Sequence, residues 1–225
     1  MRGLYAIVDV GTLSARGLDP IEFAGAVLSV GPAALQLRAK GIPARETLAL
    51  LRALAPMCRR AGAILIANDR PDLAILSGCT HVHVGQEDMP IDRVRRLVPG
   101  VGVGVSTHTL DQLDAALAAH PEYVAFGPVF ETHTKTKPDP VVGVARLREA
   151  YGRAVAAGIP LVAIGGITLE RAQALVGAAD AIAIVAELLP PMMRGDQRAW
   201  SAFEVMGEVA NRARALHEVF RAPAS

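Results

Sequence analysis

The chain has 225 residues, of which 52% are hydrophobic and only 4% are aromatic, and its formal net charge is +1. This length is near the roughly 250 residues of one (β/α)8 barrel and is enough to bury a large apolar core. The small net charge gives no indication of a nucleic-acid or acidic-membrane partner, and no apolar stretch approaches the roughly 20 residues of a membrane helix.

Eight short apolar runs alternate with longer segments of helical spacing, and each run ends in polar residues or glycine. The runs cover residues 4–8, 33–37, 63–67, 81–84, 101–105, 122–126, 160–164 and 180–185. Helices are expected at residues 19–30, 43–62, 71–77, 90–98, 110–119, 144–157, 168–177 and 196–219. This repeated strand–helix pattern predicts an α/β fold over residues 1–225, a single (β/α)8 TIM-barrel domain closed by its C-terminal helix.

Two features of the chain concern its cellular setting. The first apolar run begins at Leu4, which leaves no room for a signal peptide before it. Cys58 and Cys79 lack CxxC spacing and are expected to be reduced packing residues. We therefore expect a cytoplasmic protein, and the sequence is compatible with a homo-oligomer.

The second run is followed by Gln36, Arg38 and Lys40 at a spacing of two. On an extended chain this spacing places the three side chains on one face, which would point into the barrel mouth, where such folds carry out their chemistry. An amide and two cations there suit a phosphate and a polar ring. The alternative is solvated charge on a loop, because Arg and Lys are common at protein surfaces.

Carboxylates follow the third and fourth runs. Asn68 and Asp69 end one run and Asp88 ends the next. Adjacent strands lie about 4.8 Å apart, so Asp69 and Asp88 would meet at the mouth and repel each other unless a cation lay between them. Mg²⁺ bound by one or two of these carboxylates and a substrate diphosphate would resolve that repulsion. Alternatively, each Asp caps the helix that begins near Pro71 or Pro90.

Two further polar residues are candidates for contact with a ring. Ser106 ends the fifth run, and its hydroxyl could bond a heterocycle or cap the next helix. His81 and His83 lie within the fourth run, and alternation along the strand places them on the same face as Gly85. A histidine on a strand is more often a packed residue than a catalyst, but His83 lies nearer the mouth and is the better candidate for substrate contact.

Loops after the last three runs have features of phosphate sites. The stretch 127–143 is the longest irregular one and contains Thr132, Thr134 and Lys135. It suits a mobile loop that closes over phosphates, or else an exposed polar loop. Residues 165–168, GGIT, place backbone amides at a glycine turn before a helix, and residues 184–186 offer further amides where the eighth run ends.

Seven segments, in order, resemble the thiamine phosphate synthase family. They are LYAIVD at 4–9, QLRAK at 36–40, NDR at 68–70, HVGQED at 83–88, GVSTH at 104–108, GPVF at 127–130 with THTK at 132–135, and AIGGI at 163–167. No single segment is diagnostic, but seven in the right order are highly specific. The resemblance implies that 4-amino-2-methyl-5-hydroxymethylpyrimidine diphosphate and 4-methyl-5-(2-phosphoethyl)thiazole, both small molecules, give thiamine phosphate and diphosphate through a pyrimidine-methyl cation.

The resemblance also implies residue roles. Asp69 and Asp88 would bind Mg²⁺. The diphosphate would be bound by Arg38, Lys40, Asn68 and Lys135, of which the three cations would be catalytic. The pyrimidine would face Gln36, His83 and Ser106. The thiazole and its phosphate would face Thr132, Thr134 and the amides of Gly166, Val185 and Ala186.

The chain departs from the family at several positions. Glu131 replaces a common Pro, Ala181 and Ala186 stand where Gly and Ser are common, and Glu187 adds negative charge near the thiazole phosphate. Two alternatives stay open. One is a thiazole tautomerase of the same superfamily, whose catalytic histidine would correspond to Pro128. The other is a non-catalytic barrel that binds a thiamine precursor and regulates.

Overall fold

The computed structural model describes residues 1–132, 139–191 and 200–221. Eight parallel strands form a closed barrel in which each strand pairs with the next and β8 pairs with β1. The strands are β1 Gly3–Asp9, β2 Ala34–Arg38, β3 Ile64–Asn68, β4 His81–Val84, β5 Gly102–Thr107, β6 Tyr123–Phe126, β7 Leu161–Ile164 and β8 Ala181–Ile184. The predicted (β/α)8 fold and all eight predicted strands are confirmed, with small shifts at the strand ends.

Helices surround the barrel. They are α1 Val10–Ser14, α2 Pro20–Leu28, α3 Ala44–Ala61, α4 Pro71–Ser77, α5 Ile91–Leu97, α6 Leu110–Ala118, α7 Gly143–Ala157, α8 Leu169–Ala172 and α9 Ala202–Arg221. The sequence did not predict α1, which forms because the Asp9 carboxylate accepts a hydrogen bond from the amide of Thr12 at 2.8 Å.

Two predicted helices differ from the structure. The predicted helix 168–177 is shorter, because the α-helix ends at Ala172, a 3₁₀ turn follows at Gln173–Leu175, and Val176 is extended. The predicted start of the last helix, Asp196, lies outside the described residues, and α9 packs against β1 and α2. No helix in the described ranges is long and apolar enough to span a membrane.

Alternate side chains along each strand point to opposite faces of the barrel wall, and so belong to two different apolar clusters. The larger one lies between the strands and the helices, and includes the free and buried Cys58 and Cys79. The smaller one includes Tyr5 and Tyr123 and fills the inside of the barrel. A Cβ atom at Gly104 would lie 1.9 Å from the Tyr123 ring, so glycine on β5 makes the space that this aromatic ring fills. The interior of the barrel is therefore filled by side chains, and the cavity lies at the carboxyl ends of the strands.

Candidate active site

A cavity of about 660 Å³ opens at the carboxyl ends of the strands. This volume is typical of a site for small molecules. Every predicted site residue within the described ranges lines it, namely Gln36, Arg38, Lys40, Asn68, Asp69, His83, Asp88, Ser106, Thr132, Gly166, Val185 and Ala186. Thr134 and Lys135 lie outside the described residues, as do residues 133–138 as a whole, so the predicted closure of this loop stays a prediction.

Arg38 is positioned by a carboxylate to which the sequence analysis gave no role. Asp9 lies beside Arg38 in the register of β1 and β2, and its buried carboxylate forms an ion pair with the guanidinium. Burial alone would raise the pKa of Asp9, but hydrogen bonds from Thr12 and the charge of Arg38 together lower it below its ordinary value. Asp9 is therefore ionised at neutral pH and fixes the cation at the cavity wall.

Asp69 and Asp88 come together as the strand order predicts. Burial raises the pKa of Asp69, and the neighbouring carboxyl of Asp88 raises it further. Lys40 Nζ lies 3.2 Å from Asp69 Oδ2 and lowers this pKa, but it does not outweigh the other two effects. The pair thus carries more negative charge than the lysine compensates.

Neither aspartate caps a helix. The cap positions of α4 and α5 are Arg70 and Pro90, and neither makes a side-chain capping hydrogen bond. Asp88 Oδ2 instead accepts a hydrogen bond from the amide of Gly85 at 2.7 Å. Asp69 has a φ of 60°, in the left-handed region that costs a non-glycine residue energy. This backbone strain is a feature that functional positions often retain.

The donor set at the aspartates fits Mg²⁺. Two carboxylates whose mutual repulsion is incompletely neutralised are suitable oxygen ligands for a hard divalent cation. Among the described residues, no group of three or more His, Cys, Asp and Glu side chains is placed to bind a metal. A cation at Asp69 and Asp88 would therefore need further oxygen ligands from a substrate, as Mg²⁺ usually does.

The cavity floor contains a hydrogen-bonded network. Gln36 Nε2 lies 2.6 Å from Tyr5 Oη, and Tyr5 Oη lies 2.9 Å from Tyr123 Oη. His83 Nδ1 lies 2.8 Å from Tyr123 Oη, and His83 Nε2 lies 2.8 Å from Ser106 Oγ. The two tyrosines were missed by the sequence analysis, although each shares the inward parity of its strand and could have been found from that parity.

Two other sequence expectations at this side of the barrel are resolved by contacts. Ser106 does not cap α6, because the cap is Thr109, whose hydroxyl accepts a hydrogen bond from the amide of Gln112. His81 lies deeper in the barrel against Gly102 and does not line the cavity. Its Nδ1 lies 2.9 Å from the hydroxyl of Thr80, so it is a packed residue.

The opposite side of the cavity has the geometry of a phosphate-binding turn. Gly166 has a φ of 63°, and a Cβ atom there would lie 2.2 Å from the carbonyl oxygen of Glu131, so only glycine fits. Thr168 caps α8 by accepting a hydrogen bond from the amide of Arg171 at 3.3 Å. Val185 and Ala186 follow β8 on the same wall of the cavity.

The negative charge of Glu187 is partly neutralised by Arg212, a residue distant in sequence. Its carboxylate lies 3.6 Å from Arg212 Nη1 on α9 and accepts a hydrogen bond from the amide of Leu169 at 3.3 Å. Arg212 also donates to Glu208 at 2.9 Å. The negative charge that the sequence adds near the phosphate turn is therefore partly neutralised by a guanidinium, which the sequence pattern did not reveal.

His108 contacts two residues of the segment that follows β6, Gly127 and Asp139. Its Nδ1 donates to the carbonyl oxygen of Gly127 at 2.6 Å, and its Nε2 lies 3.5 Å from Asp139 Oδ2. The sequence analysis gave His108 no role beyond its motif. Gly143, expected to end the loop, is the first residue of α7.

Comparisons with known proteins agree on one family. A family model described as thiamine monophosphate synthase matches residues 4–188. A thiamine-phosphate synthase of Koribacter versatilis is 43% identical over 197 residues, covering 83% of this chain and 88% of that protein. One of Anaeromyxobacter dehalogenans is 40% identical over 186 residues, covering 82% and 79%. The solved thiamine phosphate pyrophosphorylase of Pyrococcus furiosus has a TM-score of 0.78 at 27% identity, covering 96% of this chain and 94% of that one.

Proposed function

Since the chain belongs to the thiamine monophosphate synthase family, we propose that the cavity is the active site of a Mg²⁺-dependent thiamine-phosphate synthase. The reaction joins the aminopyrimidine diphosphate to the thiazole phosphate and releases diphosphate. The observation that carries the proposal is the meeting of Asp69 and Asp88 with Arg38 and Lys40 at one side of a cavity whose other side is a glycine turn.

The diphosphate end of the substrate would lie against Arg38, Lys40 and Asn68, with Mg²⁺ bound between it and the two aspartates. When bound there, Mg²⁺ withdraws electron density from the diphosphate oxygens and so stabilises the leaving group. Arg38 is already directed by its ion pair with Asp9, so its charge needs little reorganisation when substrate arrives. Lys40, whose Nζ lies 3.2 Å from Asp69 Oδ2, would donate hydrogen bonds to the diphosphate oxygens.

The chemistry breaks one bond and forms one. The C–O bond between the pyrimidine methylene and the diphosphate breaks, and its electron pair leaves on the diphosphate oxygen. The thiazole nitrogen then donates its lone pair to the methylene carbon to form the new C–N bond. No protein nucleophile is needed, and the apolar wall of Ile7, Pro128 and Ile164 limits the water that could capture the cation.

The thiazole phosphate would lie at the opposite wall. Backbone amides of Gly166, Val185 and Ala186 lie at the loops after strands seven and eight, where barrels of this kind commonly bind phosphate. Thr132 lines the same cavity. Two phosphate-binding ends separated by one cavity suit a reaction that joins two phosphorylated substrates.

The thiazole tautomerase alternative is not supported by the residue at its expected catalytic position. The position expected for its catalytic histidine is Pro128, which lines the cavity and has no side-chain group that transfers a proton. The paired aspartates would also have no purpose in a reaction without diphosphate. The regulatory alternative is opposed by the family, whose relatives are named as enzymes.

The test is synthesis of thiamine phosphate from the two substrates, followed by thiochrome fluorescence. We expect product with Mg²⁺ and none with EDTA, and Asp69→Asn and Asp88→Asn should each lose most activity while staying folded. Asp72→Asn is the matched control, because Asp72 is a half-exposed carboxylate paired with Arg70 outside the cavity. Full activity in EDTA would contradict the metal, and no product under any condition would contradict the function.

A further inference from the structure

The segment that follows β6 runs directly beside the glycine turn that follows β7. The amide of Val129 donates to the carbonyl oxygen of Ile164 at 2.9 Å. The amide of Phe130 donates to the carbonyl oxygen of Gly165 at 3.0 Å. The two backbones approach so closely that a Cβ atom at Gly165 would lie 2.4 Å from Cβ of Pro128. The position of the turn therefore depends on the position of this segment.

Arg171 on α8 contacts both the segment and the turn. Its Nη1 donates to the carbonyl oxygen of Gly166 at 2.8 Å, and its Cζ lies 5.0 Å from the ring centroid of Phe130. A guanidinium only donates and a carbonyl oxygen only accepts, so the direction of the hydrogen bond is fixed. The aromatic ring attracts the cation that lies over its face. We call Arg171 and Phe130 the outer clamp, because neither side chain lines the cavity.

The contacts of the outer clamp orient two consecutive peptide units. In a planar trans peptide, the C=O and the N–H point in opposite directions. The carbonyl oxygens of Gly165 and Gly166 are both bound on the clamp side, as described above. The N–H groups of the same two units belong to Gly166 and Ile167, so they are directed away from the clamp. Both residues line the cavity, and among the described residues no acceptor is paired with either N–H.

A turn of two glycines needs such support because its backbone is permissive. Gly165 and Gly166 have φ values of 99° and 63°, which residues with a side chain rarely adopt. Glycine loses more conformational freedom on ordering than any other residue. Rotation of the peptide between Gly166 and Ile167 would replace an N–H at the cavity with a carbonyl oxygen, which repels an anion. The hydrogen bond from Arg171 opposes this rotation, because it would be broken.

We propose that Arg171 and Phe130 are positioning residues that hold the amides of Gly166 and Ile167 toward the thiazole phosphate. This role rests on the proposed function, because that function places the phosphate at this turn. The clamp acts on binding in the ground state and in the transition state alike. Its loss should therefore raise KM for the thiazole phosphate and leave kcat unchanged.

Three substitutions separate the parts of the outer clamp. Arg171→Met removes the donor and the charge but keeps a long side chain of similar helix propensity. Arg171→Gln keeps an N–H donor without the charge, and Phe130→Leu removes the ring but keeps an apolar side chain. Arg148→Met is the matched control, because Arg148 is an exposed arginine on α7 that does not line the cavity.

Steady-state kinetics with both substrates give the first test. Arg171→Met should raise KM for the thiazole phosphate by roughly five- to tenfold, the equivalent of one ordinary hydrogen bond. KM for the pyrimidine diphosphate should stay at the wild-type value, and Arg171→Gln should recover part of the loss. Phe130→Leu should have a smaller effect. Adding it to Arg171→Met should raise KM no further, because the ring acts through the guanidinium.

The second test does not depend on catalysis. Inorganic phosphate is titrated into the whole protein while the backbone amide signals of Gly166 and Ile167 are followed in ¹H–¹⁵N spectra. Both signals should shift in the wild-type protein, and half-saturation in Arg171→Met should need roughly five- to tenfold more phosphate. Wild-type amides that do not respond, or a response in Arg171→Met equal to that of the wild type, would overturn the proposal.

Failure of the clamp differs from failure of the proposed function. If the wild-type protein makes no thiamine phosphate, the function is wrong, and the phosphate titration still decides the role of Arg171. Equal KM values for the thiazole phosphate in the wild type and Arg171→Met would refute the clamp and leave the function intact. An equal rise in KM for both substrates would do the same. Should Arg171→Met fail to fold, the kinetics and titration of Arg171→Gln, expected between wild type and a full loss, decide the question.

Discussion

The ion pair between Asp9 and Arg38 allows one substitution to test both stability and substrate binding. Asp9→Asn keeps the shape of the side chain and an oxygen that can accept from Thr12, but it removes the charge that faces the guanidinium. The Asp9 side chain is 6% exposed and that of Arg38 is 25% exposed, so solvent screens the pair only in part. A hydrogen bond to a charged group contributes about 1.5–3 kcal/mol.

For a chain of this length the loss should lower Tm by roughly 3–12 °C. The effect should depend on pH in a defined direction. The pKa of Asp9 is lower in the folded protein than in the unfolded chain, so its contribution to stability is present above about pH 4. That contribution is lost as the pH falls through the folded-state pKa. The Tm difference between wild type and Asp9→Asn should therefore be constant near neutral pH and should narrow in acid.

The same variant should impair use of the pyrimidine diphosphate. Without its partner, Arg38 is no longer directed at the diphosphate, and kcat/KM for that substrate should fall by roughly tenfold or more, with KM for the thiazole phosphate unchanged. Asp19→Asn is the matched control, because Asp19 caps α2 through the amides of Ile21 and Glu22 and Asn caps equally well. A variant with wild-type Tm and wild-type diphosphate kinetics would refute the reasoning about this pair.

Three further predictions concern other parts of the site. Lys40→Ala should lower kcat/KM for the pyrimidine diphosphate by roughly ten- to hundredfold; an effect on the thiazole substrate alone would show that the two ends of the cavity are reversed. Gly104→Ala should lower the free energy of unfolding by about 1–3 kcal/mol, because its Cβ would overlap a buried tyrosine ring, whereas Gly152→Ala in open space on α7 should not destabilise in chemical denaturation. Arg212→Ala should raise KM for the thiazole phosphate, because the Glu187 charge beside the phosphate turn loses its partner, and an unchanged KM would show that Glu187 has no influence there.

The sequence alone determined the fold and many of the polar residues that line the cavity. Alternating parity and regular strand–helix spacing are local properties, so they can be read from a single chain. Once the strands are known to close into a barrel, residues at their carboxyl ends must converge, and this is why Gln36, Asp69 and Ser106 were found without coordinates. The seven ordered motifs then identified the family, which the comparisons confirmed.

Only the tertiary structure decided how these residues are oriented and which charges are paired. Asp9 and Arg38 are 29 residues apart, Glu187 and Arg212 are 25 apart, and Tyr5 and Tyr123 are 118 apart, so no local pattern links the members of each pair. The left-handed backbone of Asp69 likewise depends on its surroundings, because a strained conformation persists only where the folded structure imposes it. The hydrogen-bonded contacts at the cavity floor join side chains from five different strands, which only the closed barrel brings together.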